Sequence, residues 1–310
     1  MVAIPLIEKI IELFLILFAA AALVKTGVFQ ADFSRVLSRI SLYFITPCVI
    51  FNSFQIQLTD EVQQGLLFAT GLAAAFQLIF LVVAEAARRI WKATVVERAS
   101  VVFTNAGNLV IPLVSYVLGP EWVVYVSGYL LVFNVMFWTL GIRMFAGREA
   151  VSLRKVILNP NILAVLAGLL LMISGLTLPR PVSVAFGDMA ATIGPVSMMI
   201  TGMVVGSMKM KDLFSNRRVL GVILIRMVIC SGLAVAFAAL CGIVHLIPSG
   251  KAIVMIPLLS AIAPSASNIN QVAILYNRDA PYASAINILT TLSCVVTIPL
   301  WMMLYDALVG

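Results

Sequence analysis

The chain has 310 residues, 62% of them hydrophobic and 11% charged, with a mean hydropathy of +1.11. A soluble domain of this size is about 45–50% apolar and about 25% charged, so the composition excludes a soluble protein and indicates an all-α polytopic membrane protein. The net charge of +7 sits in short basic clusters between apolar runs, which suits topology signals rather than a nucleic-acid-binding face.

Residues 10–24 form the first apolar run. Ala19–Ala22 could mimic a cleavage site, but Lys9 is flanked by Glu8 and Glu12, so the basic leader of a signal peptide is missing and the run reads as a membrane span. Windows of about 20 apolar residues predict ten spans, at 5–24, 36–54, 64–87, 97–118, 121–145, 159–178, 183–206, 219–245, 251–276 and 282–308. Pro47 lies mid-membrane in the second span and Pro195 in the seventh. The fourth span contains TNAGNLVIPL (104–113), and the ninth contains SAIAPSASNINQVAILYNRDAPY (260–282). Gly71, Gly202 and Gly206 read as sites of close helix packing. Cys48, Cys230, Cys241 and Cys294 fall in apolar runs without CxxC spacing and read as small buried hydrophobes. The single histidine, His245, reads as interfacial. No metal site and no cofactor is expected.

Charge decides orientation. Lys25, Arg35 and Arg39 flank the first connection, and Arg88, Arg89, Lys92 and Arg98 the third. Arg143, Arg148, Arg154 and Lys155 fall at the fifth, Lys209, Lys211, Arg217 and Arg218 at the seventh, and Arg278 at the ninth. These are sixteen of the 20 basic residues. The odd connections are therefore expected in the cytoplasm, with both termini outside an inner (plasma) membrane.

The connection 146–158 separates halves of similar size, 1–145 and 159–310. Spans two and four correspond to spans seven and nine, each pair holding a mid-membrane proline and then a polar, proline-broken segment. Five spans per half is an odd number, so the second half enters the membrane inverted. Inverted repeats with broken helices meeting at the midplane characterise secondary transporters. Pro112 removes a backbone donor and frees carbonyls, and Gly107 permits unusual backbone geometry, so these two and Pro264 are the expected break residues. Asn105, Asn108, Ser265, Ser267, Asn268 and Asn270 supply donors and acceptors there, as substrate-binding candidates. Two half-helix N-termini brought together would favour an anionic group.

TNAGNLVIPL, APSASNINQVAILYNRDAPYASAINILTTL (263–292) and GSMKMKDLFSNRR (206–218) together resemble bacterial members of the auxin efflux carrier family, whose plant branch is the PIN transporters, within the bile-acid/auxin transporter superfamily. The resemblance spans nearly the whole chain. It implies ten transmembrane helices in two inverted five-helix repeats, with broken fourth and ninth helices that cross. Residues 1–56 and 159–208 would form a scaffold, and 61–145 and 217–310 a transport domain that slides as an elevator. In the plant carriers an Asn seven residues before the fourth-span proline contributes to carboxylate binding. Asn105 stands seven before Pro112 and takes that role by resemblance. The second half departs from the plant pattern: Pro264 precedes the expected crossing, and Asn268 and Asn270 occupy it. The long cytoplasmic loop of the plant carriers is missing.

The function this implies is efflux of a small organic anion, a carboxylate, by a secondary transporter in a lipid bilayer. The reading allows a homodimer through the scaffold helices. One histidine cannot make an HExxH site, and VSGY and IPSG fall short of a serine nucleophile turn, so an enzyme is not expected. A sodium-coupled organic-anion symporter of the bile-acid type is the main alternative, and a channel a further one. Segments 100–113 and 260–277 hold no Asp, Glu or His, so transport is expected to need no stoichiometric proton. Arg226 lies about two helical turns from the cytoplasmic edge, where it is expected to snorkel, with attraction of an anion as its second reading.

Overall fold

A computed structural model describes residues 3–30, 32–147, 154, 157–208 and 216–309. Most of the connection 146–158, and Arg148, Lys155, Lys209, Lys211 and Ser215, lie outside the described residues. The described residues are helical, with a single isolated β-bridge and no strand.

α1 (Ala3–Lys25), α2 (Phe33–Ser53) and α3 (Asp60–Trp91) open the chain. The expected fourth span is divided into α4 (Val95–Val102) and α5 (Ala106–Val117), and α6 (Pro120–Ala146) follows. Beyond the central connection come α7 (Pro160–Ser174), α8 (Arg180–Ser207) and α9 (Arg218–Leu240). The expected ninth span is likewise divided, into α10 (Gly250–Ile262) and α11 (Asn268–Leu275), and α12 (Ala280–Val309) ends the chain. Six of these, α2, α3, α6, α8, α9 and α12, are long and apolar enough to cross a membrane; α5, α7 and α10 are shorter apolar helices.

Local chemistry sets the boundaries. The Thr59 hydroxyl accepts from Val62 N–H at the start of α3, and Lys92 (φ 51) ends that helix in the left-handed region. Thr94 and Glu97 form a reciprocal capping box on α4. Pro47 in α2 and Pro112 in α5 each follow a π turn, Ser41–Ile45 and Ala106–Val110. A proline cannot donate to the carbonyl four residues back and its ring crowds it; widening the preceding turn relieves both effects.

Two groups of helices pack internally. α1 lies along α8, and α2 along α7 and α8. α3 packs on α4, α6 and α10, and α9 on α10 and α12. Gly202 explains the α1–α8 closeness, since a Cβ there would sit 2.8 Å from Ala20 Cβ and 3.0 Å from the Leu17 carbonyl carbon. Gly206 faces the Ala21 backbone in the same way. Gly71 does not serve packing, because a Cβ there would meet nothing within 4 Å. Leu15, Leu67, Val82 and Leu170 project outward, as lipid-facing side chains do.

The helix ends meet in a pattern that matches the charge asymmetry. Arg218 donates to the carbonyls of Trp91 and Lys92, and Arg278 to that of Phe145, so odd connections meet odd ones. Ser249 donates to Glu61 and Ser183 to Gln55, so even connections meet even ones. Glu85 pairs with Arg88, Arg89 and Arg98, as an ion cluster at the end of a span should. Three cysteines are buried as expected; Cys241, just past the end of α9, is exposed instead.

Candidate functional site

The two helix breaks pair with each other. After Val102 the chain turns extended at Phe103 (φ −95, ψ 126), and after Ile262 at Ala263 (φ −61, ψ 157). Thr104 and Ser265 then face one another in an antiparallel bridge. Asn105 N–H donates to Pro264 O at 2.8 Å, and Ala266 N–H to Phe103 O at 2.9 Å. Backbone groups that hydrocarbon could not satisfy are thus satisfied by the other break. Side chains hold the pair in place. Asn287 donates to Ser265 O at 2.6 Å, Thr290 Oγ1 accepts from Ser265 N–H at 3.2 Å, and Thr104 donates to the Tyr129 hydroxyl, which also accepts from Gln77.

Pro264 lies in its break, but Gly107 and Pro112 do not lie in theirs. The first break is Phe103–Asn105; Gly107 is in the π turn beyond it with an ordinary negative φ, and Pro112 lies in the helix that follows. The first break therefore owes nothing to glycine or proline and is held by its tertiary partner.

Arg226 does not snorkel. It is fully buried in a π turn of α9, Leu224–Cys230, with its guanidinium 4.7 Å from the centre of the Phe80 ring. Nε donates to Ala263 O at 3.1 Å, Nη1 to Val101 O at 3.1 Å, and Nη2 to Ala263 O at 2.9 Å and to Ala261 O. These acceptors are the terminal carbonyls of α4 and α10, where the partial negative ends of the two half-helices lie.

The N-terminal ends of α5 and α11 face elsewhere, into a cavity of about 50 Å³ lined by Thr104, Asn105, Gly107, Asn108, Ser267 and Asn268. That volume holds a few water molecules, the size of a carboxylate headgroup. Asn108 Nδ2 donates to Ser267 Oγ at 3.3 Å and links the two half-helices across it. The cavity thus unites Asn105, Asn108, Ser267 and Asn268. Ser265 and Asn270 do not line it; Ser265 Oγ and Asn270 Oδ1 are buried without a hydrogen-bond partner. The lining also includes residues that the sequence did not single out: Ser41 and Thr46 from α2, Asn161 from α7 and Asn134 from α6. Each is a polar side chain in an apolar run, a signal that a search for isolated polar residues within spans would have found. Larger cavities, of about 360 Å³ beside Lys9 and Pro195 and about 740 Å³ beside Phe54 and Leu176, lack this convergence of amides on helix N-termini.

At the N-terminal ends of α4, α9 and α12, Glu97 is buried and receives Arg218 through Nε (2.7 Å) and Nη2 (2.9 Å), Tyr282 OH (3.0 Å) and its own cap, Thr94 N–H (2.6 Å). Arg218 also lies over the Trp91 ring at 4.3 Å. This cluster ties α4, α9 and α12 together.

Paired helix breaks buried among apolar helices define a membrane transport protein. Comparison with known sequences gives the family: the profile of the family described as "Membrane transport protein" matches residues 5–153 and 149–302. The chain belongs to this family, that of the auxin efflux (PIN-like) carriers. It is also similar to an uncharacterized transporter of Schizosaccharomyces pombe, 28% identical over 115 residues. That alignment spans 36% of this chain and 25% of the yeast protein.

Proposed function

We propose that the chain is a secondary transporter that moves a small carboxylate outward across the plasma membrane, and that the cavity at the paired breaks binds the carboxylate group. The observation that carries this reading is the sorting of helix ends at the crossing. Negative ends of α4 and α10 converge on Arg226, and positive ends of α5 and α11 converge on a small cavity whose polar groups are amides and hydroxyls. Asn105, Asn108 and Asn268 can each donate to a carboxylate oxygen there. Among the described residues no Asp, Glu or His lines the cavity, which fits transport without a stoichiometric proton.

The architecture proposed is ten spans in two inverted five-span repeats, 1–145 and 159–310, with α4–α5 and α10–α11 as the broken fourth and ninth spans. Supporting it are the matched breaks and the pairing of odd with odd and even with even connections. The packing of α1, α2, α7 and α8 supports a scaffold of 1–56 and 159–208, against which 61–145 and 217–310 slide as one body. The cavity has one wall on each group, so sliding would open and close it. Both termini outside follows from the positive-inside distribution, and a homodimer would form through the scaffold.

The test is uptake and efflux of a panel of labelled carboxylates in proteoliposomes, with pH gradient, sodium gradient and voltage set independently. Saturable carboxylate exchange that is lost in Asn105→Ala and Asn268→Ala supports the reading. Accumulation driven by a sodium gradient alone would favour the symporter, and uphill movement driven by a pH gradient alone would overturn the proton-independent mechanism.

A further inference from the structure

Arg226 carries a charge that no carboxylate among the described residues balances. Among the described residues no Asp or Glu pairs with it, its guanidinium donates to the main-chain carbonyls of Val101, Ala261 and Ala263, and its side chain is fully buried. Arginine stays protonated in proteins, so the charge is permanent. The other ionised residues of α3–α6 and α9–α12 lie near helix ends, and the most deeply buried of them, Glu97, is already neutralised by Arg218.

Helix ends carry about half an elementary charge each, negative at the C-terminus and positive at the N-terminus. The C-terminal ends of α4 and α10 together offset about one positive charge, which is what the guanidinium brings. With those ends satisfied, the N-terminal ends of α5 and α11 are left facing the cavity and together present about one positive charge. Ser41 points to a polar ligand there independently: its side chain is 3% exposed and lines the cavity, and its hydroxyl has no protein partner.

We infer that Arg226 is a fixed counter-charge carried by the moving body, which matches the site to a monoanion and makes the loaded crossing electrically neutral. This rests on the carboxylate-transporter reading and deepens it. The empty body carries one net positive charge through the membrane field, and the body loaded with a monoanion carries none. A full cycle still exports one negative charge, so the driving force is unchanged. The voltage-sensitive step becomes the return of the empty carrier, which a negative interior accelerates by up to about fifty-fold at 100 mV if the charge crosses the whole field.

The test uses the full chain in proteoliposomes, with labelled phenylacetate and lactate as monoanion probes and malonate and succinate as dianion probes. Exchange is measured with probe saturating on both sides, so that only loaded carriers move, and net efflux with probe inside only. For wild type, monoanion exchange should be the same at 0 and −100 mV, dianion exchange should slow several-fold, and monoanion efflux should speed up several-fold. Arg226→Met should invert the exchange result, making monoanion exchange voltage-sensitive, whereas Arg226→Lys should keep it insensitive. If Arg226→Met does not fold, the wild-type comparison of monoanion with dianion decides alone. Monoanion exchange that responds to voltage as strongly as dianion exchange overturns the counter-charge and leaves carboxylate transport standing. Absence of binding and of flux for all four probes overturns both.

Discussion

Gly202→Ala tests the packing of α1 on α8 with the smallest possible change. The new Cβ would lie 2.8 Å from Ala20 Cβ and 3.0 Å from the Leu17 carbonyl carbon, with the Leu17 oxygen closer still. Ordinary carbon contacts begin near 3.4 Å, so the helices must separate by at least about 0.6 Å at that point. Leu17 presents main-chain atoms, which no rotamer change can move aside. Overpacking of this kind costs about 1–3 kcal/mol. Gly71→Ala is the internal control: it also adds one methyl to a helical glycine, but the methyl meets nothing within 4 Å. Removing the glycine there should stabilise by about 0.5–1 kcal/mol through backbone entropy. Thermal unfolding of the purified protein in one detergent should therefore shift in opposite directions, down for Gly202→Ala and up or unchanged for Gly71→Ala. If Gly202→Ala melts at or above the wild-type temperature, the α1–α8 contact is not as close as described.

Asn105→Ala and Asn268→Ala should each weaken carboxylate binding, by about 1.5–3 kcal/mol or tenfold to more than a hundredfold, in calorimetric titrations of folded protein. Ser265→Ala, outside the cavity lining, should leave that affinity alone. Glu97→Gln should destabilise the chain by about 3 kcal/mol, the lower end for breaking a buried pair, because Arg218 keeps 36% of its side chain exposed to solvent; an unchanged melting temperature would count against the cluster as a tie between helices. An impermeant maleimide should label wild-type Cys241 from outside and spare the buried Cys48, Cys230 and Cys294. In a Cys241→Ser background, cysteines at Asp60 and Ser249 should react from outside and one at Gln30 should not; the reverse pattern would invert the topology.

Much of the fold was legible because lipid leaves a chain few options. Apolar windows located the long helices, and basic clusters sorted the connections into the two sets whose ends meet. The position of the first break was not legible. Proline and glycine are the visible breakers and point to Gly107 and Pro112, whereas the chain opens at Phe103–Asn105, because Pro264 and Ala266 offer hydrogen bonds there. No local pattern records such a partner 160 residues away. Arg226 departs from the snorkelling expectation for the same reason: snorkelling depends on depth along one helix, but its surroundings are the ends of two others. Within the candidate site, the clustered amides of each break stand out in the sequence, whereas Ser41, Asn134 and Asn161 enter the lining singly from three other helices.

The bridge between the two breaks is made of main-chain atoms, Asn105 N–H with Pro264 O and Ala266 N–H with Phe103 O. Neither bond uses the side chain of Asn105 or Asn268. Those two side chains can therefore be exchanged while the main-chain bridge, with Asn287 and Thr290 behind it, still brings the two helix N-termini together. If the crossing holds the cargo as proposed, the place of binding is set by the backbone and its identity by the side chains, so a change of cargo needs new side chains there but no new fold.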